Sequence, residues 1–272
     1  MLSVLCLLAG VPWSAAAAQD RFFPDVRSFE PPLASPRVAG FAGRLITESV
    51  GDDQFGDERE ADVTIGEDFP ILALRRGLRP ITLGFGVQAS GRFSLDDSRS
   101  ALISNDWQVG FNVFADLAPW ILDLQLYHES SHLGDEYIKR FGASRLDWTR
   151  EVLMVWVGHQ AGKFRMMGSA GNVLVDELEL SPWLASGGLD FRSGSFKLLR
   201  QQALLIAGAF VEGASETDWR ISTSLKAGIA FPGARPGREL RLSLIAHDGL
   251  STQRQFFRSS SRFVGVEIEF QL

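Results

Sequence analysis

From about Val38 to its end, the chain alternates apolar and polar side chains with a period of two. The clearest run is 81–93. There Ile81, Leu83, Phe85, Val87 and Ala89 share one face, and Thr82, Gly84, Gly86, Gln88, Ser90 and Arg92 the other. Residues 107–117 set Trp107, Val109, Phe111 and Val113 against Gln108, Gly110, Asn112 and Asp116. The pattern returns in Trp120, Leu122, Leu124 and Leu126, in 219–229, in Leu240, Leu242 and Leu244, and in Val264, Val266, Ile268, Phe270 and Leu272. Successive side chains of a strand point to opposite faces, so this alternation predicts β-strands with one apolar face.

A soluble sandwich also alternates, but two features favour a transmembrane barrel. The predicted strands run about 10 to 14 residues, against about 5 to 6 in soluble proteins. Their polar faces carry Gly, Ser and opposite charges, which suits a narrow wet lumen. Their apolar faces begin or end with Trp or Phe, as an interfacial girdle does. In lipid every backbone polar group needs a partner, and strands achieve that only in a closed barrel. Twelve strands are predicted, centred near 43, 66, 86, 111, 125, 153, 168, 187, 206, 224, 244 and 266. Short connections (76–79, 117–119, 160–163, 192–195, 232–238) alternate with longer or more acidic ones (51–60, 94–104, 132–146, 176–181, 213–218, 249–255). An even count with short periplasmic turns puts both chain ends in the periplasm. The fold class is therefore all-β: a single antiparallel up-and-down transmembrane barrel over 38–272 in the bacterial outer membrane.

The first 19 residues carry no charge. An apolar core over 2–11 and a small-residue run over 14–18 read as a secretory signal peptide, 1–18, that lacks the usual basic start. Residues 19–37, with Pro24, Pro31, Pro32 and Pro36, read as an extended periplasmic arm. The single cysteine, Cys6, lies in the signal, so a disulfide framework and a cysteine zinc site are excluded. The net charge of −6 excludes a basic nucleic-acid footprint. Beyond the signal, no apolar run reaches the roughly 20 residues of a membrane-spanning helix. The expected partners are outer-membrane lipids or lipopolysaccharide.

Chemistry concentrates in 127–136, which holds His128 and His132 of the chain's four histidines. His128, Ser130 and His132 continue the face of Leu122, Leu124 and Leu126, the lipid face. A His and a Ser two apart on a strand lie side by side, and a serine becomes a nucleophile when such a base takes its proton. Ser130 is the candidate nucleophile and His128 its base. An acid on the next strand would orient the imidazole: Asp147 first, Glu151 second, with Glu136 in the loop a third. His132, Asp135 and Glu136 are candidate binding residues. His128 and His132 stand about 13 Å apart at about 3.3 Å per residue, too far for one ion. No metal site or cofactor is therefore assigned, and calcium is left open. The plainer reading makes His128, Ser130 and His132 a solvated polar cap on the strand.

A lipid-facing His-x-Ser resembles that of outer-membrane lipid A deacylases and phospholipases. The resemblance covers His128 and Ser130 and implies hydrolysis of lipid acyl esters. In those families the third residue follows the Ser by a shorter interval, which lands here near Gly142, and the longer loop moves it to Asp147. A broader resemblance rests on Phe22-Phe23-Pro24, Phe29-Glu30-Pro31 and the string from His128 to Tyr137. It is to domain-of-unknown-function family 1207, which implies a barrel and no established activity. The alternative to a hydrolase is a non-enzymatic barrel, either a small solute channel or a structural surface protein. Lumen-side charges (Arg92, Asp116, Asp123, Arg220, Lys226, Arg241, Glu267, Glu269) read as a salt-bridged filling. The acidic stretch from Asp52 to Glu60 reads as a solvated outer loop.

Overall fold

The computed structural model describes residues 20–24, 29–37, 40–51, 59–76, 79–96, 100–234 and 237–271. The expected signal peptide and the acidic residues 52–58 lie outside the described residues. The elements are β1 (Arg21–Phe22), β2 (Phe41–Gly51), β3 (Arg59–Arg76), β4 (Arg79–Ser94), β5 (Leu102–Leu117), β6 (Trp120–Leu133) and α1 (Asp135–Phe141). They continue as β7 (Trp148–Ala161), β8 (Phe164–Asp176), β9 (Trp183–Arg192), β10 (Phe196–Leu198), β11 (Gln201–Ala214), β12 (Ser222–Pro232), β13 (Glu239–Leu250) and β14 (Ser260–Gln271).

Twelve of these strands form the wall, each antiparallel to its neighbours, and the ladder closes where β14 pairs β2 and β3 pairs both β2 and β4. All twelve predicted centres fall on wall strands. β1 and β10 are additions. β2 covers β3 only as far as Ile65, and β1 pairs further along β3, at Leu72 and Ala73. β10 lies beside β11. One end of the barrel carries the short turns and the other the longer connections, as the spacing predicts.

The wall sorts its side chains by parity. Leu122, Leu124 and Leu126 face outward and are exposed, while Asp123, Tyr127 and Glu129 between them are buried inside. Outward tryptophans stand near both ends, with Trp107, Trp183 and Trp219 toward the loop end and Trp120 at the turn end. Trp148 and Trp156 are buried in the interior instead.

One side of the lumen is filled by a cross-strand belt of ion pairs. Arg92 on β4 meets Glu60 and Asp62 on β3 at 3.1 and 3.3 Å. Asp62 also meets Arg44 on β2 at 3.1 Å, and Arg44 meets Glu267 on β14 at 2.7 Å. Lys226 on β12 reaches Glu267 at 2.6 Å and Glu269 at 3.0 Å, and Arg241 on β13 holds Glu269 at 2.8 Å. Such buried charges persist because each has a partner.

Four expected placements need correction. Glu60 is not loop but a buried partner of Arg92, because β3 already begins at Arg59. Asp123 has amides as partners, taking bonds from Asn112 (2.9 Å) and Gln125 (2.6 Å). Asp116 lies at the exposed turn and accepts from the Ala118 amide. Arg220 sits at the exposed loop end and donates to Ser260.

The arm is also not wholly outside the barrel. Residues 29–37 lie within the lumen. Phe29 packs on Trp156 (5.5 Å between ring centroids) and Phe114 (6.3 Å), and Leu33 packs with Ile206 and Ala230. Three prolines (Pro31, Pro32 and Pro36) deny this segment a ladder, so it is held by side chains of the wall.

Lys226→Met takes one cation from each of Glu267 and Glu269, which keep Arg44 and Arg241. The expected loss is about 1–3 kcal/mol, read as a lower urea midpoint of the refolded barrel. An unchanged midpoint would mean that Lys226 contributes nothing to stability.

Candidate functional site

The candidate residues cluster on the outer wall of β6 and β7, near the loop end. β6 ends at Leu133, and Gly134 then leads into α1. Acidic residues (Asp135, Glu136) open this helix and basic ones (Lys139, Arg140) close it, which favours its dipole. Gly142 ends it in the left-handed region at φ 64°, where glycine carries no steric cost. The helix and the coil after it use residues 134–147, so β7 starts at Trp148. That length sets what lies beside His128.

In the ladder, His128 pairs with Glu151 and Ser130 with Thr149. His128 Nδ1 lies 2.8 Å from Glu151 Oε1, with the two side chains 37% and 43% exposed on the outer wall. An ionised carboxylate accepts only, so in this contact the ring donates from Nδ1, and the neutral tautomer that does so has Nε2 as its acceptor. Ser130 follows on the same face, with Trp107 on β5 on one side of it and Thr149 on the other. No hydrogen bond joins Ser130 to the ring among the described residues. Such bonds often form only with substrate in place.

Of the acids considered, the second choice, Glu151, stands at the imidazole. Asp147 is instead an acceptor for Thr149 Oγ1 at 3.4 Å. Glu136 is exposed on α1, and Asp135 pairs with Arg145. His132 is exposed at the end of β6, on the face of His128 and Ser130. Among the described residues, no group of three or more His, Cys, Asp or Glu side chains could hold a metal ion. The remaining histidines have other surroundings. His159 packs edge-on against Trp120, 4.6 Å between centroids. His247 is buried with Nδ1 2.9 Å from Ser224 Oγ and Nε2 2.8 Å from the Leu250 carbonyl, which ties the ring at both nitrogens.

Directly behind the outer cluster, the inner face is cross-braced. Glu129 accepts from Trp148 Nε1 (3.0 Å), Arg150 Nε (2.9 Å) and Arg254 Nη2 (2.9 Å). Arg150 Nη1 also donates to Glu216 at 2.7 Å. Arg254 belongs to the 251–259 connection, which folds inward and buries Phe256 and Phe257. Burial opposes the charge of Arg254, but Glu129, Glu212 and Glu216 outweigh it and its pKa is raised. Gln255 joins β6 to the segment before β7: its Nε2 donates to the carbonyls of Ser131 (2.8 Å) and Leu146 (2.9 Å), and its Oε1 accepts from Leu146 N (2.9 Å). Sequence reading missed Gln255, which carries no motif. Glu129 was readable as inward from the parity of its neighbour His128. The lumen beyond holds a cavity of about 200 Å³.

Comparison with known proteins agrees with this architecture. The model of a family described as "Protein of unknown function (DUF1207)" matches residues 13–272. No curated protein matches the sequence. Among solved structures, outer membrane phospholipase A from Escherichia coli aligns with a TM-score of 0.57 at 13% identity, over 89% of this chain and 94% of that one. The Salmonella typhi outer membrane phospholipase dimer with bound calcium aligns at 0.58 and 12% identity, over 89% and 92%. LpxR from Salmonella typhimurium aligns at 0.41 and 11% identity, over 86% and 100%. The likeness to the two phospholipases is one of fold.

Gln255→Leu removes three hydrogen bonds that tie the 134–147 connection down, each about 1 kcal/mol. Limited proteolysis should then cut within 134–147 at least about tenfold faster than in the parent protein. Equal cutting rates would assign the anchoring of this connection to other contacts.

Proposed function

We propose, from the premise that this chain belongs to the DUF1207 family, that it is an outer-membrane barrel that hydrolyses acyl esters of membrane lipid at Ser130, His128 and Glu151. The observation that carries the reading is the His128–Glu151 contact of 2.8 Å on the outward wall, with Ser130 next on the same face.

The cost of such a pair depends on depth. A basic side chain on a lipid-facing wall costs about 2–4 kcal/mol at the bilayer midplane, acidic ones less, and about 0–1 near the interface. The pair lies near the loop end, beyond the apolar row of Leu122, Leu124 and Leu126. That is the level at which a lipid presents its ester carbonyls.

In the proposed reaction, Ser130 Oγ attacks the ester carbonyl and its proton passes to His128 Nε2. Glu151 holds the ring through Nδ1 and stabilises the imidazolium that forms. Collapse of the tetrahedral adduct breaks the ester C–O bond. The leaving alcohol takes the proton from Nε2, and the acyl group stays on Ser130. Water, deprotonated by the same nitrogen, then releases the fatty acid and restores the serine. Strand amides are committed to the ladder, so the Thr149 hydroxyl, turning from its long 3.4 Å bond to Asp147, is the neighbouring donor for the oxyanion. Among the described residues, no group of three or more His, Cys, Asp or Glu side chains gathers at Ser130.

Of the non-enzymatic alternatives, a solute channel or a structural surface protein, a permanently open channel is less favoured because residues 29–37 and the ion-pair belt fill part of the lumen.

The test is fatty-acid release by purified, refolded protein from phospholipid and lipid A, with and without calcium. Ser130→Ala and His128→Ala should each lower kcat by at least about a thousandfold. Glu151→Ala should lower it by about a hundredfold or more, and Asp147→Asn by less than about twofold. Release that survives Ser130→Ala, or no release from any substrate by folded protein, would sink the proposal.

A further inference from the structure

Residues 29–37 cross the turn half of the lumen on a wall shaped to receive them. Gly188 on β9 and Gly208 on β11 lie under the segment. A Cβ on Gly188 would stand 2.5 Å from Pro32 Cβ, and one on Gly208 3.0 Å from Leu33 Cβ. Leu33 N donates to Asp190 Oδ1 at 2.9 Å in a buried bond. The Glu30 carboxylate sits among three guanidinium groups, those of Arg165, Arg192 and Arg241.

Those arginines do not depend on Glu30. Arg165 also holds Asp190 at 2.6 Å, Arg192 holds Glu239 at 2.7 Å and Arg241 holds Glu269 at 2.8 Å. Arg44 likewise has Glu267 and Asp62, and gives the segment only a bond to the Pro36 carbonyl, at 3.0 Å. Arg37 reaches Glu212 at 3.4 Å. Removing one partner of a buried pair is costly when it leaves an uncompensated charge. Here the cationic wall residues that grip the segment keep carboxylates of their own, and Glu30 passes to water. The cavity of about 200 Å³ is bounded by Phe29, Ser35 and Arg37 of the segment, and it extends to Thr217 and Arg220 at the loop end.

We propose that residues 29–37 are a displaceable plug, and that its withdrawal turns the barrel into a pore for small hydrophilic solutes. The segment is the floor of the cavity, so its withdrawal joins the cavity to the turn end. The wall left behind carries both signs of charge in pairs, which gives passage with weak preference for anion or cation. This inference uses none of the outer-wall residues.

The experiment is single-channel recording of the refolded full chain in planar bilayers with potassium chloride. Glu30→Arg places a fourth guanidinium among three, and should raise the fraction of time open by about tenfold or more over the parent. Leu33→Cys with Gly208→Cys supplies a lock, since disulfides need Cβ atoms about 3.5–4.5 Å apart and little movement reaches that. In the Glu30→Arg background, oxidation of this pair should return the current to the parent level, and reduction should restore it. Folding of each variant is checked by circular dichroism. If Glu30→Arg does not fold, the lock in the parent chain carries the test, with openings expected only in the reduced form. A folded Glu30→Arg barrel no more conductive than the parent, or openings that ignore the disulfide, would overturn the plug.

Discussion

The requirement that every backbone N–H and C=O find a partner governs this molecule. Twelve strands meet it by closing on themselves, β14 onto β2 and β3 onto β4. Closure leaves each wall side chain two destinations, lipid or lumen, and period-two alternation follows along nearly the whole chain. It also creates the second problem of the fold. The inward residues are polar and crowded, and each buried charge must be matched there. The belt from Arg92 through Asp62, Arg44 and Glu267 to Lys226 is the answer on one side of the lumen. The plug and its arginines are the answer near the turn end.

The same constraint explains what could be read in advance. Alternation tells which way a side chain faces, so strand positions and the outward placement of His128 and Ser130 were legible. It does not tell which inward residues meet. Asp123 faces the lumen as expected, yet its partners are Asn112 and Gln125, because partners depend on how neighbouring strands are staggered. The order of Asp147 and Glu151 beside His128 was hidden for a related reason. The coil after α1 uses residues up to 147 before the ladder resumes, so the residue opposite His128 shifts to Glu151. Prolines showed that 29–37 could not be wall strand, but a segment without a ladder carries no period to announce where it docks.

The inner and outer faces of β6 and β7 are linked by one register. Glu129 opposite Arg150 and His128 opposite Glu151 are successive rungs of the ladder. A slip of one residue would carry every side chain to the other face. It would bring Glu129 out to the outer wall and His128 into the lumen. The buried Glu129–Arg150 pair, with Trp148 and Arg254 on the same carboxylate, therefore opposes any register but the one that sets Glu151 beside His128. The inner network thus specifies the outer geometry without touching it.

This linkage bears on why ionisable groups stand on the loop end of an apolar outer wall, where Asp248 and Arg262 pair as well, at 3.0 Å. A polar cap would need no particular partner, since water serves each group equally. The rung instead sets an imidazole against a carboxylate at hydrogen-bond distance, and the hydroxyl follows on the same face. Pairing lowers the cost of placing both groups against lipid headgroups. It also fixes which ring nitrogen carries the proton.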